Sequence, residues 1–266
     1  MTAPSRSPGP GFDPLKAYRT MFGTAQDGVA AYWYFGTAFV EIEGFSITPA
    51  IQAETLMVYK TTTLSPDAFR MDWWEIGYMR DIATGEISKS WVNPITGAVC
   101  PSPQNFEEGP AHFLIQRDGD GLKLELEQAH ARIDSVDVVF TEENGRVLLT
   151  QTERKTRGFP LPDGTMVGPD HPDASAAVTT LSIISSRADL ASDNAPSSGA
   201  YDFVLQKLPS WMGFGDRKGT LLTRGAMVKA DMNHPLNPIA WQRLKDLFPE
   251  CFDGDVVLPK WPEPAA

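Results

Sequence analysis

Basic residues, cysteines and histidines are all scarce in this sequence. Among its 266 residues there are 23 lysines and arginines against 34 aspartates and glutamates, so the formal net charge is -11. The chain offers no compact stripe of basic side chains, and an acidic surface repels a phosphate backbone. The same charge disfavours docking on an anionic membrane leaflet. We therefore expect neither nucleic acid nor a membrane as a partner.

Long hydrophobic runs and nucleotide-binding motifs are also missing. No apolar run approaches the roughly 20 residues that span a bilayer, and residues 1–14 contain no apolar signal core. A cytoplasmic location is the expectation that follows. The chain has no P-loop, no glycine-rich turn that opens a βαβ unit and no G-x-S-x-G elbow. These absences argue against nucleotide cofactors bound by those routes and against α/β-hydrolase chemistry.

The sequence also lacks the residue spacings that are typical of metal sites. The four histidines are scattered, with no H-x-H or H-E-x-x-H pair, so we predict no metal and no other cofactor. The two cysteines, Cys100 and Cys251, lie far apart in the chain, and we expect them to be unlinked thiols. With 42% hydrophobic and 21% charged residues, the composition is nevertheless that of a folded globular protein.

The sequence does contain many short segments whose polarity alternates with a period of two. About ten of them follow one another at regular spacing. Asp118 to Gly121 and Glu143 to Gly145 each join two of them, and glycine supplies the positive φ that hairpin turns require. This pattern predicts a mainly β fold, as a single antiparallel, barrel-like domain of the calycin or lipocalin kind. A short C-terminal helix is expected from Asn237 to Phe248, with Pro238 in its first turn.

The composition also predicts the limits of the domain. Residues 1–13 are rich in proline, glycine and serine and are predicted to be a flexible arm, and residues 14–266 are predicted to be the single barrel-like domain. Two stretches, 98–110 and 156–175, are rich in proline and glycine and show no periodicity. Segments of that length are pocket rims, lids or plain surface loops, and the sequence leaves these interpretations open.

The densest local pattern is RDIATGEISKSWVNPITG, from Arg80 to Gly97. In its first half the Asp81 carboxylate can accept backbone N–H groups, and Gly85 supplies a left-handed residue before the next strand. The second half repeats the device, with Pro94 fixing φ and Gly97 leaving the turn. Hairpin chemistry alone is enough to account for this pattern.

An opening strand from Tyr32 to Gly36 and a later Trp211-Met212-Gly213 accompany this pattern. Together these features resemble the family catalogued as domain of unknown function 1838. The resemblance runs from about Pro14 to Pro262 and implies a single domain over nearly the whole chain. It implies no activity, cofactor or catalytic residue, so the chemistry has to be argued from the side chains.

Ionisable side chains on the strands are the candidates for that chemistry. Alternation along Asp72 to Arg80 puts Trp74, Tyr78 and Arg80 on one face. An arginine on a buried face needs an anionic partner, because an unpaired internal charge is very costly. That partner is either a carboxylate of the protein or the carboxylate of a ligand, held by the guanidinium fork.

His130 continues the inward row of an alternating strand that begins at Leu122. It is either a hydrogen-bonded core residue or a general base, since a buried histidine titrates near neutral pH. We predict that His130, Tyr78 and Arg80 converge on one interior cavity as catalytic residues. The side chains expected to contact the ligand are Trp33, Trp74, Trp91, Asn93 and Trp211.

Two functions are consistent with this arrangement. The first is a cofactor-independent lyase or decarboxylase that acts on a small aromatic, phenolic acid inside the barrel. A phenolate is its own electron sink, so the protein has to supply only a base, a cation and a dry cavity. The alternative is a non-catalytic carrier of an apolar small molecule. Two or more ionisable groups in the cavity favour the enzyme, and a purely apolar lining favours the carrier. Whether the chain forms a homodimer stays open.

Overall fold

The computed structural model describes residues 8–88, 90–101, 106–159, 161, 165–230 and 238–252. These residues form one domain of strands with two short α-helices. The helices are α1, Pro14–Phe22, and α2, Pro238–Leu247. The strands are β1 Gly28–Ile42, β2 Thr48–Ser65, β3 Ala68–Arg80, β4 Ser90–Val92, β5 Val99–Pro101, β6 Phe106–Asp118, β7 Gly121–Glu127, β8 Ala131–Glu143, β9 Arg146–Arg157, β10 Ser175–Ser186, β11 Ser198–Leu205 and β12 Gly219–Lys229.

Ten of the strands form one antiparallel sheet in the order β7-β6-β3-β2-β1-β12-β11-β10-β9-β8. The strands at the two ends of that order, β7 and β8, follow each other in the chain and meet at an isolated bridge between Gln128 and Ala131. The sheet is therefore a nearly closed barrel. β4 and β5 form a separate two-stranded ribbon. The predicted mainly β, antiparallel, barrel-like domain is confirmed.

The predicted hairpin turns form where glycine and asparagine supply the positive φ. Asn144 (φ 51°) and Gly145 (φ 73°) connect β8 to β9, and Gly119 (φ 56°) lies between β6 and β7. The expected C-terminal helix also forms, as α2. In the described ranges, no helix has the length and apolar character needed to cross a membrane.

One non-periodic segment contains more strand than was predicted, and part of the N-terminal arm is described. The stretch 98–110 is largely extended, because β5 and the start of β6 occupy most of it, and residues 102–105 lie outside the described residues. Pro101 lies in the short ribbon strand β5 and Pro110 at the register shift between β3 and β6, and proline is tolerated at both kinds of position. In the predicted arm, residues 1–7 lie outside the described residues, and Phe12 packs edge-on against Phe140 with ring centroids 5.1 Å apart.

α1 fills one end of the barrel. The Asp13 carboxylate accepts hydrogen bonds from the backbone N–H groups two and three residues later, at 3.0 and 3.2 Å, and caps the helix N-terminus. The side chains of Tyr18, Met21 and Phe22 are buried in the core of the barrel. The Tyr18 hydroxyl donates a hydrogen bond of 2.7 Å to Gln151 Oε1 on β9. The helix is thus part of the barrel interior.

α2 covers the outer face of the barrel at β1, β2 and β3. Its Ala240 and Leu244 pack with outward-pointing side chains of these strands. The strand residues in this outer cluster are Val29, Ala31, Trp33, Leu56, Val58, Trp74, Ile76 and Tyr78. β1 is apolar on both faces because one face points into the barrel and the other lies under α2.

Lys229 joins α1 to the wall of the barrel. Its side chain is 1% exposed, and Nζ donates hydrogen bonds to the carbonyl oxygens of Thr20, Gly23 and Ala195. Thr20 and Gly23 lie at the C-terminal end of α1, where the helix dipole is negative. Burial removes water from the ammonium group and lowers the pKa of Lys229 to about 7.

We predict that Lys229 makes folding more favourable as the pH rises above 7. The unfolded amine keeps its ordinary pKa of 10.5, so between these values the unfolded state binds a proton that the folded state lacks. The unfolding free energy of the wild type should therefore rise relative to that of Lys229→Met, by up to about 1.4 kcal/mol per pH unit. Urea unfolding of both proteins across this pH range measures the difference. A difference that does not change with pH would contradict the prediction.

Candidate functional site

Small side chains on three neighbouring strands leave a cavity inside the barrel. Ala38 on β1, Ala53 and Thr55 on β2, and Gly77 on β3 all line it. The space that they leave, which we call the main cavity, has a volume of about 120 Å³. An apolar cavity of roughly 150 Å³ accommodates benzene. The main cavity therefore has room for about one aromatic ring.

The lining of the main cavity is apolar except for a few side chains. Its larger apolar residues are Ile51, Met57, Met79, Phe159, Phe203, Leu205, Trp211, Met212 and Leu221. Two ionisable residues, Glu75 and Arg157, and two tyrosines, Tyr34 and Tyr201, provide most of its polar groups. A concave, mostly apolar lining with a few polar groups is the usual form of a small-molecule site.

A smaller polar compartment adjoins the main cavity on the side of α1. Its volume is about 30 Å³, and Tyr18 and Phe22 of α1 contribute to its lining. Met57, Arg157 and Tyr201 line both compartments and form the boundary between them. The interior of the barrel thus changes from apolar at one end to polar beside α1.

The polar compartment contains a continuous hydrogen-bond network based on β9. The Tyr18 hydroxyl donates to Gln151 Oε1 at 2.7 Å, and Gln151 Nε2 donates to Glu153 Oε1 at 2.7 Å. Lys155 Nζ donates to Glu153 Oε2 at 3.0 Å and to Gln128 Oε1 at 3.3 Å. Both charged side chains are 5% exposed. Buried charges are tolerated only when they are paired and hydrogen-bonded, and this network provides both conditions.

The sequence predictions missed these residues because β9 is polar on both faces. In the run QTERKTR, Gln151, Glu153, Lys155 and Arg157 are buried, and the residues between them are half-buried or exposed. Where every position is polar, a period of two carries no information about which face is inside. The available signal was the apolar Leu149, which lies earlier in the same inward row.

Tyr34 presents a buried hydroxyl that has no hydrogen-bond partner among the described residues. The residue is 4% exposed and lines the main cavity. Its ring lies over the paired Gly36 and Gly225, and it packs edge-on against Tyr201 with centroids 5.1 Å apart. Burial, with a smaller contribution from the Asp202 carboxylate, raises the pKa of Tyr34. The phenol therefore stays protonated and can donate a hydrogen bond to a ligand.

The structure does not bring Tyr78, Arg80 and His130 together in one cavity, which corrects the expected catalytic arrangement. Tyr78 and Arg80 share a face of β3, as alternation predicted, but this is the outer face. Tyr78 borders the main cavity between two inward residues, while its side chain packs with Trp33 and Trp74 in the outer cluster. Trp33 and Trp74, expected to contact a ligand, pack under α2 instead. Because both faces of β3 are covered, the alternation of residues along this strand does not indicate which face points into the barrel.

Arg80 has its anionic partner within the protein. Nε donates a hydrogen bond of 2.6 Å to Glu54 Oε2, and Nη1 donates one of 2.8 Å to the carbonyl oxygen of Gly85. Asp81 Oδ1 accepts two backbone N–H groups of the same turn, and Gly85 has a φ of 72°. The interpretation of this segment as turn chemistry is confirmed, and the arginine is not placed to hold a ligand inside the barrel.

His130 lies in the turn between β7 and β8. β7 ends at Glu127, so the alternation that was extended to His130 stops before it. Gln128 continues the inward row, and it accepts the hydrogen bond from Lys155. The carbonyl oxygen of His130 accepts a hydrogen bond of 2.9 Å from the Gly158 N–H. The described lining of the two compartments does not include this histidine.

The other predicted contact residues lie at the end of the main cavity that is away from α1. Trp211 lines the cavity. Trp91 packs behind it with ring centroids 6.2 Å apart, and the buried Asn93 donates a hydrogen bond of 2.8 Å from Nδ2 to the carbonyl oxygen of Met212. Phe159 adds the segment 156–175 to the cavity wall.

Comparison with known proteins adds no family to this description. No protein-family model matches the chain, and no curated protein matches it. The resemblance to the family catalogued as domain of unknown function 1838 therefore stays a prediction. Within the described ranges, no group of three or more histidine, cysteine, aspartate or glutamate side chains is placed to hold a metal ion.

We predict that removing one partner of the buried charge pair strongly destabilises the fold. Lys155→Met leaves the Glu153 carboxylate buried without its cation, which should cost about 3–5 kcal/mol of unfolding free energy. The double variant Glu153→Gln/Lys155→Met removes both charges and should recover more than half of that loss. Lys123→Met is the control, because its pair with Glu125 is exposed and is worth at most about 1 kcal/mol. Equal losses in the single and double variants, measured by urea unfolding, would contradict the prediction.

Proposed function

We propose that the protein binds a small aromatic acid inside the barrel. The observation that carries this proposal is a cavity of about 120 Å³ whose apolar lining ends at Tyr34, Glu75, Arg157 and Tyr201. The ring lies against the apolar wall. The anionic group lies at the boundary with the polar compartment, beside Arg157 and the two tyrosines.

Approximate binding free energies support a ligand that combines an apolar ring with an anionic group. Burying about 150 Å² of an aromatic ring contributes roughly 4 kcal/mol, which alone corresponds to millimolar binding. A carboxylate taken out of water requires charge-assisted hydrogen bonds to repay its desolvation. Arg157 offers a guanidinium at the boundary, and Tyr34 offers a protonated phenol. Affinity and selectivity therefore depend on the polar end of the site.

A cofactor-independent lyase or decarboxylase is the second candidate, because two ionisable residues, Glu75 and Arg157, line the main cavity. Loss of CO2 from an aromatic acid breaks one carbon–carbon bond and leaves a carbanion that takes up one proton. The Glu75 carboxyl group, which lines the same cavity, is the group that can relay that proton. Glu75 and Arg157 thus replace His130 and Arg80 in the roles that the sequence suggested. A cytoplasmic location remains part of the proposal.

The first test uses three small molecules that each have one aromatic ring. Two of them carry a carboxylate, and the third is uncharged. We expect benzoate and 4-hydroxybenzoate to bind with dissociation constants below about 1 mM, and toluene to bind at least tenfold more weakly, since it cannot use Arg157. Ala53→Leu fills the cavity and should weaken benzoate binding by at least tenfold. Thr37→Leu is the control, because Thr37 is paired with outward-pointing residues on both sides.

Ligand-observed NMR titration measures these affinities, and conversion of 4-hydroxybenzoate to phenol in the same samples tests the lyase. Failure of all three probes to bind the wild type would overturn the proposed function. Equal affinity of Ala53→Leu and the wild type would place the bound probe outside the main cavity and overturn it as well.

We predict that Tyr34→Phe separates binding from stability. The Tyr34 hydroxyl has no partner among the described residues, so its removal should change the unfolding free energy by less than about 0.5 kcal/mol while weakening benzoate binding about tenfold. Tyr18→Phe is the matched control, because its hydroxyl bonds Gln151 and its loss should cost about 1–3 kcal/mol without weakening benzoate binding directly. Wild-type affinity in Tyr34→Phe would contradict the prediction.

A further inference from the structure

A short turn, Ser210–Met212, forms part of the end of the main cavity away from α1. Trp211 and Met212 from this turn line the cavity. The opposite end of the barrel is filled by α1, and the wall between them is the ten-stranded sheet, which is hydrogen-bonded except between β7 and β8. A ligand that reaches the cavity along the barrel axis therefore has to pass this turn.

The ribbon of β4 and β5 holds the turn in place. Asn93, which is 0% exposed, donates its hydrogen bond of 2.8 Å from Nδ2 to the Met212 carbonyl oxygen. Trp91 contacts Trp211 and Phe214, with ring centroids 6.2 and 6.0 Å apart. The amide hydrogen bond and the aromatic contacts join the ribbon to the cavity wall, and a longer hydrogen bond of 3.4 Å from Thr96 Oγ1 to the Gly213 carbonyl oxygen adds to them.

The two ends of the Asn93 side chain have different roles. Oδ1 accepts the backbone N–H groups of Ile95 and Thr96, both at 2.9 Å, and so shapes the turn of the ribbon. Nδ2 reaches out of the ribbon to Met212. An aspartate at this position keeps the acceptor and loses the donor, so the two roles can be separated by one substitution.

The backbone next to the turn is built for close contact with the ribbon. Gly213 has a φ of 68°, a conformation that glycine adopts without strain. A Cβ at Gly213 would collide with Cys100 Sγ of the ribbon. The turn therefore lies directly on the ribbon.

We propose that Asn93 is a positioning residue that holds Trp211 and Met212 over the main cavity and thereby controls how fast a ligand leaves. This inference rests on the proposed function, since it needs a ligand in the main cavity. It also gives the W-x-N-P-x-T-G and W-M-G patterns of the sequence a joint role, because the first supplies the amide and the second supplies the wall.

The test compares two swaps between aspartate and asparagine. In Asn93→Asp the turn of the ribbon keeps its acceptor, while a carboxylate faces the Met212 carbonyl oxygen and the hydrogen bond is lost. We expect benzoate to dissociate at least tenfold faster, and the amide protons of Met212 and Gly213 to exchange at least tenfold faster with solvent. Asp81→Asn is the control, because its acceptor role in the exposed turn is preserved and both rates should stay at wild-type values.

NMR line shapes in a benzoate titration measure the dissociation rate, and circular dichroism checks that each variant is folded. Asn93→Ser, which loses the amide and has a shorter side chain that does not reach the Met212 carbonyl oxygen, gives a second test if Asn93→Asp does not fold. Faster dissociation and exchange in the Asn93 variants, with Asp81→Asn unchanged, supports the inference. Wild-type dissociation rates in folded Asn93 variants would overturn it and leave the proposed function standing. If wild-type protein does not bind benzoate, the proposed function fails, and this inference fails with it.

Discussion

The stability of the barrel depends on the pairing of the charged side chains that β9 places in its interior. Glu153 and Lys155 lie where other barrels place aliphatic side chains, and neither charge could stay there alone. Gln151 extends the pair to Tyr18, so α1 is bound into the network that neutralises the core. Lys229 binds the far end of the same helix through backbone carbonyl groups. The helix therefore serves as a polar partner of the barrel interior as well as an apolar plug.

Local turn chemistry and strand alternation predicted the fold well, because both depend on neighbouring residues alone. Asn144 and Gly145 form their hairpin turn as expected, and the number of strands follows from such turns. The side of each strand that faces inward was harder to predict. Tyr78 and Arg80 share a face as predicted, but α2 covers the outer face of β3 and makes both faces apolar. His130 shows a second limit, since alternation says nothing about where a strand ends.

The candidate site was only partly predictable from the sequence. Its main part is a cavity, and the position of a cavity depends on how all the interior side chains pack together. Trp211 was identified because it begins the Trp211-Met212-Gly213 pattern on which the family resemblance partly depends. The room in front of it comes from Ala53 and Gly77, which have no distinctive signature. Glu75 was passed over because charged residues on strands are usually solvated, and Arg157 because it falls in the stretch 156–175, which shows no periodicity. Their location inside the barrel follows from the order of ten strands, which no local pattern contains.

The two glycines beneath Tyr34 have a consequence for the size of the ligand that the barrel can accept. Gly36 and Gly225 face each other across β1 and β12, and both lie against the Tyr34 ring. A methyl group on either residue would collide with the Tyr34 ring and also with a backbone carbonyl oxygen, that of Arg224 for Gly36 and that of Phe35 for Gly225. The position of the Tyr34 ring and the close pairing of β1 with β12 therefore depend on the same two glycines. The room beside Tyr201, and with it the size of the ligand that fits there, is set in part by residues that lie behind the aromatic wall.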